Sequence, residues 1–354
     1  MDDYPAGYWH QLPDSRIQCD LCPRECKLKD GQRGLCFVRQ NIAGQLVLTT
    51  YGRSSGFCID PIEKKPLNHF YPGTPVLSFG TAGCNLTCKF CQNWDISRSN
   101  EFDRLSGKAS AHRIAAAAAQ YRCHSVALTY NEPVIFIEYG KDVAEACHEK
   151  GVQVVAVTNG YVHKEARESF FSFVDAANVD LKAFSDSFYR SLTGGRLQTV
   201  LDTLSYIRRK TEVWLEITTL IIPGENDGEA EIREMVNWII NELGPETPLH
   251  FSAFHPDYKM REKPATPLSS LINARNIARE AGLAHVYTGN VTYAPGDTTL
   301  CSRCGEILIE RNWYEISNYR LTEAGRCSKC DTRLAGRFSP QAGDWGAKRQ
   351  PVRI

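Results

Sequence analysis

Methionine is scarce, with three in 354 residues, and no run of about 18 uncharged apolar residues occurs anywhere in the chain. A membrane-spanning helix is therefore not expected. Net charge is absent as well: 41 Lys and Arg balance 41 Asp and Glu. That balance removes the basic field expected of a protein that lives on phosphate backbones, so a nucleic-acid partner has no support. The opening segment MDDYPAGYWH is acidic and lacks the apolar core of a secretory signal, which places the expected location in the cytoplasm. Apolar residues at 42% and charged residues at 23% are ordinary for a globular chain and exclude disordered and collagen-like classes.

Cysteine, by contrast, is abundant, with fourteen in the chain. Eleven fall in three knots, Cys19/Cys22/Cys26/Cys36, Cys84/Cys88/Cys91 and Cys301/Cys304/Cys327/Cys330. Without an export signal, such knots read as metal sites rather than disulfides. Cys58, Cys123 and Cys147 stand apart and read as small buried hydrophobes, the last two on helices.

Between the knots the pattern alternates. Short β-branched runs predict strands over 76–79, 126–130, 152–158, 177–181, 213–222, 249–253 and 285–288. Residues 111–122, 134–150, 164–173, 197–210, 230–243 and 268–281 show helical spacing between them. Strands joined by helices of this length imply a parallel sheet, and so many units suggest an α/β fold, a complete or partial (β/α) barrel. Active-site groups then belong just after the strands, where Asn131, Glu132, Asn159, Asp180, Lys182 and His255 fall. The expected organisation is a Cys-rich metal-binding segment over 1–73, the barrel over 74–297, and a small metal-binding module with a mobile polar tail over 298–354.

The three thiols of Cys84-Asn-Leu-Thr-Cys88-Lys-Phe-Cys91 follow the first barrel strand with no fourth cysteine at hand. Structural zinc needs a closed set of four ligands; three suit a four-iron cluster with one iron open. This CxxxCxxC segment, with Phe90 before its last cysteine, resembles the signature of the radical S-adenosylmethionine (SAM) superfamily. The resemblance implies a [4Fe-4S] cluster on Cys84, Cys88 and Cys91, with SAM at the open iron, and a flavodoxin- or ferredoxin-type electron donor. Thr129-Tyr130-Asn131-Glu132-Pro133 stands where members carry a Gly-Gly-Glu-Pro type segment. The implied SAM contacts are therefore Glu132 and the backbone around Asn131, with Phe90, Asn159, Asp180, Lys182 and His255 around the cofactor. Both glycines of that segment are missing here.

The barrel segments are similar to those of pyruvate formate-lyase activating enzyme. With Asp60-Pro-Ile-Glu-Lys-Lys-Pro66, His69-Phe-Tyr-Pro-Gly73 and Cys91-Gln-Asn-Trp94 included, the chain resembles the AmmeMemoRadiSam-system radical SAM enzymes. The implied reaction is reductive SAM cleavage to a 5′-deoxyadenosyl radical that takes hydrogen from a substrate, whether a partner protein, a small molecule, a peptide or an RNA, the last not favoured by the zero net charge. Activation of a glycyl-radical enzyme is one alternative. A zinc-binding interaction module is another, and it leaves the three-cysteine knot unexplained.

The four thiols Cys19, Cys22, Cys26 and Cys36 suit zinc or an auxiliary iron–sulfur cluster. Cys301/Cys304 and Cys327/Cys330 have the spacing of a zinc ribbon, with residues 307–309 and 313–314 predicted to form its hairpin. Such a module is expected to be separable, so that truncation before Leu300 leaves the barrel intact.

Overall fold

The computed structural model describes residues 4–97 and 107–354. Its centre is a nine-stranded sheet. In chain order the strands are β1 (Phe57–Pro61), β2 (Pro75–Phe79), β3 (Ser125–Leu128), β4 (Gln153–Thr158), β5 (Ala176–Asp180), β6 (Trp214–Ile221), β7 (Leu249–Ala253) and β8 (Val286–Gly289), with β12 (Gln350–Val352) returning from the C-terminus. Seven of them, β2 to β8, run parallel and side by side. β1 adds antiparallel to β2, and β12 antiparallel to β1. The edges β8 and β12 are not paired to each other, so the barrel is partial.

Each parallel step is made by a helix: α1 (Ala111–Gln120), α2 (Ile137–His148), α3 (Lys164–Phe171), α4 (Leu197–Lys210), α5 (Glu229–Leu243) and α6 (Leu268–Glu280). The alanine run makes α1, and Ser110 caps it by accepting from the Arg113 N–H. α4 ends on Arg208, Arg209 and Lys210, cations that complement the negative end of the helix. The helix expected from 134 begins as a 3-10 turn, Pro133–Phe136, because Pro133 favours a helix start and lacks an N–H. Cys123, expected on a helix, lies just past α1, yet it is buried as anticipated. All four residues of β3 are buried, as expected of a strand covered on both faces. No helix among the described residues is long and apolar enough to cross a membrane.

A charged knot fills the inner end of the barrel. Glu216 on β6 is fully buried and accepts from the backbone N–H groups of Asn68 (3.0 Å) and His69 (2.7 Å), from His250 Nε2 (2.7 Å) and from Trp214 Nε1 (3.0 Å). It thereby pins the segment after β1 inside the sheet. His69 carries its proton on Nδ1, facing the Ala335 carbonyl at 2.7 Å, and accepts from the Tyr287 hydroxyl at Nε2.

The C-terminal ribbon is built from β9 (Thr299–Leu300), β10 (Ile307–Asn312) and β11 (Glu315–Tyr319), with Trp313 and Tyr314 at the hairpin tip. It is bound to the barrel by interior groups. Arg311, only 5% exposed, donates to the carbonyls of Asn68 and Asp297 and to Thr299 Oγ1. The tail beyond Ser339, expected to be mobile, returns to the sheet. Gly343 packs on Gly73 so closely that an added Cβ on either would meet the other's backbone within 2.4 Å, and the chain then pairs as β12. Polarity and glycine, which suggested mobility, here serve a close crossing of two backbones.

Candidate active site

Cys84, Cys88 and Cys91 follow β2 and line one wall of a cavity of about 290 Å³ at the C-terminal ends of the strands. The loop's path is set locally. Gly83 sits at φ +83° with the Cys36 carbonyl where a Cβ would be, 1.9 Å away, so only glycine lets the N-terminal knot press on this loop. The Arg24 guanidinium adds a second tie by donating to the Asn85 carbonyl at 2.8 Å. Burial, with Glu132 and the other two thiols nearby, pushes the Cys84 thiol up. Left to itself it holds its proton; a metal would have to displace that proton to be bound. Three thiols on one cavity wall, with Leu86 N–H at 3.4 Å and Asn159 Nδ2 at 3.8 Å from Cys84 Sγ, fit a cluster that keeps one position open.

Glu132 lines the same cavity, 3% exposed. Its carboxylate accepts from Thr158 Oγ1 (2.6 Å), the Asn159 N–H (2.8 Å) and the Val134 N–H (3.1 Å). Burial raises it to about 7 against those three bonds. A carboxylate offers about four acceptor positions, so one is left for a cation in the cavity. The Asn131 side chain is fully engaged elsewhere. It accepts from the Thr81 N–H and donates to Thr81 Oγ1 and the carbonyls of Ala82 and Gly83, bracing the loop that leads into Cys84. Its backbone N–H donates to the Thr129 carbonyl at 3.0 Å, so only its own carbonyl is left to meet a ligand.

At the first of the two positions where the resemblance implies glycine, Tyr130 adopts φ +69°. The left-handed conformation that glycine takes freely is kept by a tyrosine at a cost of about 1–2 kcal/mol. Three contacts hold it: its hydroxyl donates to Asp60 (3.2 Å), its carbonyl accepts from Asn93 Nδ2 (2.9 Å), and the Lys65 ammonium lies 5.0 Å from its ring centre.

Asp180 and Lys182 line the same cavity as an ion pair at 2.9 Å. Burial opposes the charge on Lys182, but Asp180 and Cys88 outweigh it and hold the ammonium above its ordinary range. Phe90 and Asn159 also line the cavity, Asn159 bridging Asn85 and the Cys84 sulfur. His255 is exposed and reaches the cavity only through Gln92, whose Nε2 lies 3.0 Å from its Nδ1. Thr218 and Leu220 of β6, Ser252 of β7 and Asn290 are further lining residues that sequence reading misses. The i, i+2 spacing of Thr218 and Leu220 was the available signal, since it puts both on one face of the strand.

The flanking knots differ in compactness. The four sulfurs of Cys301, Cys304, Cys327 and Cys330 lie within 4.8 Å of one another, with pairs at 3.6 and 3.7 Å. A zinc–thiolate tetrahedron with bonds of about 2.3 Å sets its sulfurs about 3.8 Å apart. In the N-terminal knot Cys19, Cys22 and Cys36 are buried, and burial pushes the Cys19 thiol up to about 12. The buried Arg39, paired with Glu138, lies close enough to oppose that shift.

Residues 79–239 match the model of the radical SAM superfamily. The chain is 40% identical over 330 residues to the uncharacterized protein MJ0808 of Methanocaldococcus jannaschii, covering 93% of this chain and 98% of that one. It is 21% identical over 309 residues to the 4-hydroxyphenylacetate decarboxylase activating enzyme of Clostridioides difficile, covering 80% and 93% respectively. Among solved structures, Streptococcus suis SuiB bound to its precursor peptide SuiA aligns at 17% identity and a TM-score of 0.49, over 65% of this chain and 51% of that one. With three cysteines after the first strand of a partial parallel barrel, a matching family model and a relative similar over nearly its full length, the chain belongs to the radical SAM superfamily.

Proposed function

We propose that the protein cleaves SAM reductively and directs the resulting radical to a substrate held beside the same cavity. The observation that carries this reading is that Cys84, Cys88, Cys91 and Glu132 share one cavity at the strand ends. When bound, the [4Fe-4S] cluster would supply an electron to SAM at its open iron, giving methionine and a 5′-deoxyadenosyl radical. The chain's own part is to bind and orient. The free acceptor position of Glu132 receives the methionine ammonium, while its other three bonds hold the turns after β3 and β4 at fixed positions. The Asn131 brace fixes the cysteine loop against that carboxylate. The Asp180–Lys182 pair offers a donor and an acceptor for the polar parts of the cofactor.

The low-potential electron comes from a flavodoxin- or ferredoxin-type donor in this reading. The test is anaerobic reconstitution followed by SAM and dithionite, with mass spectrometry for 5′-deoxyadenosine. Its formation at many turnovers supports the reading, and none above a protein-free control refutes it. The names of the decarboxylase-activating relatives favour a second reading, radical activation of a partner protein. That version requires a mass or radical signature on a partner polypeptide.

Glu132→Gln keeps the shape and removes the charge. It should weaken SAM binding by roughly 10-fold or more, because a charge-assisted bond contributes about 1.5 to 3 kcal/mol. Iron content should be unchanged, and unaltered affinity by calorimetry would move the ammonium site elsewhere.

We propose zinc at the C-terminal four-thiol site. Metal analysis should find one zinc that is lost on Cys304→Ser, the one exposed ligand of the set, with iron retained. The iron count also decides the N-terminal knot: about four irons per chain leave it to zinc, and about eight make it a second cluster.

A further inference from the structure

A second cavity of about 360 Å³ adjoins the cysteine-lined one, and Pro66, Gln92, Asn93, Tyr130 and Asn290 line both. It lies at the seam of the partial barrel. The end of β8 and the residue after it supply Thr288 and Asn290, the segment after β1 supplies Glu63 to Pro66 and Asn68, and the ribbon tip supplies Trp313 and Tyr314. This placement gives the ribbon a direct share in whatever the seam holds. Trp313, 45% exposed, is one of the four large apolar side chains exposed among the described residues.

The polar groups of this chamber are unequally matched. Asp60 is saturated: Lys65 Nζ lies at 2.8 Å, Lys64 Nζ at 3.3 Å and the Tyr130 hydroxyl at 3.2 Å. Both lysines therefore have an anion already. Arg311 directs its terminal nitrogens to carbonyls and Thr299, and it answers Glu63 by charge alone, its Nε 3.7 Å from Oε1 and beyond a hydrogen bond.

Two carboxyls are left under-answered. Glu63, 5% exposed, accepts from the Gly73 N–H through Oε1, while its buried Oε2 has no partner. Asp297 has no hydrogen bond to its carboxyl among the described residues, and burial raises it to about 7 despite Arg311 nearby. The hydroxyl of Thr288, 5% exposed, is likewise buried without a partner. A buried acceptor left unpaired costs about 1–3 kcal/mol, a cost that Glu63 Oε2 bears; a donor arriving with positive charge would answer it, and the half-buried Asp297 carboxyl lines the same chamber.

We propose that this chamber binds the substrate as a small molecule bearing a protonated amine, held by Glu63 and Asp297 under the ribbon tip and placed beside Tyr130 at the mouth of the cysteine-lined cavity. The role as substrate site rests on the SAM-cleaving reading above; the preference for an amine rests on the chamber alone. At this volume the chamber suits a molecule of metabolite size or a single amine-bearing side chain.

The test uses full-length reconstituted protein and three probes of equal length, butylamine, butanoate and butan-1-ol, in calorimetric titrations. Butylamine should bind and the other two should not. Glu63→Gln and Asp297→Asn should each weaken the amine roughly 10-fold, as expected for loss of a charge-assisted bond. The Asn variant changes a half-buried group with no hydrogen bond to lose, so it stays informative if the Gln variant is unstable. Equal binding of the three probes, no amine binding by the parent, or parental affinity in both variants would overturn the proposal. The same preparation assayed for 5′-deoxyadenosine separates the two ideas. Amine binding without SAM cleavage overturns the reaction; SAM cleavage without amine binding overturns the chamber.

Discussion

Alanine at Cys84, Cys88 or Cys91 is expected to take SAM cleavage to the level of a protein-free control and to remove the iron held by this loop. The reason is arithmetic of ligands: three thiols line the cavity, and a cluster that loses one of three has no neighbouring cysteine to replace it. Cys147→Ala is the control. Cys147 is fully buried on α2, where it packs as a small hydrophobe, so the variant should lose some stability and keep its iron. A single variant among Cys84, Cys88 and Cys91 that formed 5′-deoxyadenosine at the parent rate would sink the assignment of all three.

Arg311→Ala is expected to destabilise the whole protein by about 3–5 kcal/mol, the usual consequence of deleting one member of a buried charged pair. The substitution strands the Glu63 carboxylate and strips the donors from Asn68, Asp297 and Thr299 at the point where ribbon, barrel and the segment after β1 meet. Truncation before Leu300 should be worse. It also removes β12 from the sheet edge and the Ala335 carbonyl from His69, leaving the inner end of the barrel open. The ribbon's spacing suggests a detachable module; its contacts make it part of the barrel's closure. Denaturant midpoints measure this, and a truncated chain as stable as the parent would show that the ribbon only rests on the surface.

Much of the barrel is legible in the sequence. The helix over 197–210 and the strand over 249–253 coincide with α4 and β7 residue for residue: an amphipathic stripe ending in three cations marks the helix, and alternating Leu249, Phe251 and Ala253 after Pro248 mark the strand. The cysteine spacing likewise identifies the cavity wall before any coordinates. What escapes has a physical cause. β1 and β12 are antiparallel additions made by short segments that contain proline, and only long-range pairing makes them strands. Glu216 reads as one polar residue in a strand; its importance comes from Asn68, His69, His250 and Trp214, which the fold alone brings to it. Tyr130 breaks the glycine pattern of its segment, and its left-handed backbone cannot be inferred from a residue type that disfavours it. His255 shows the converse: a position after a strand is correct as topology, yet its side chain stays outside the cavity.

The central claim is that the three cysteines leave one iron open for SAM within reach of Glu132. Electron paramagnetic resonance of the dithionite-reduced protein, recorded with and without SAM, tests this most directly. SAM should shift the cluster signal in the parent protein and in Cys304→Ser, and the SAM-responsive signal should be absent from Cys88→Ala. A reduced cluster whose spectrum is indifferent to saturating SAM would contradict the account.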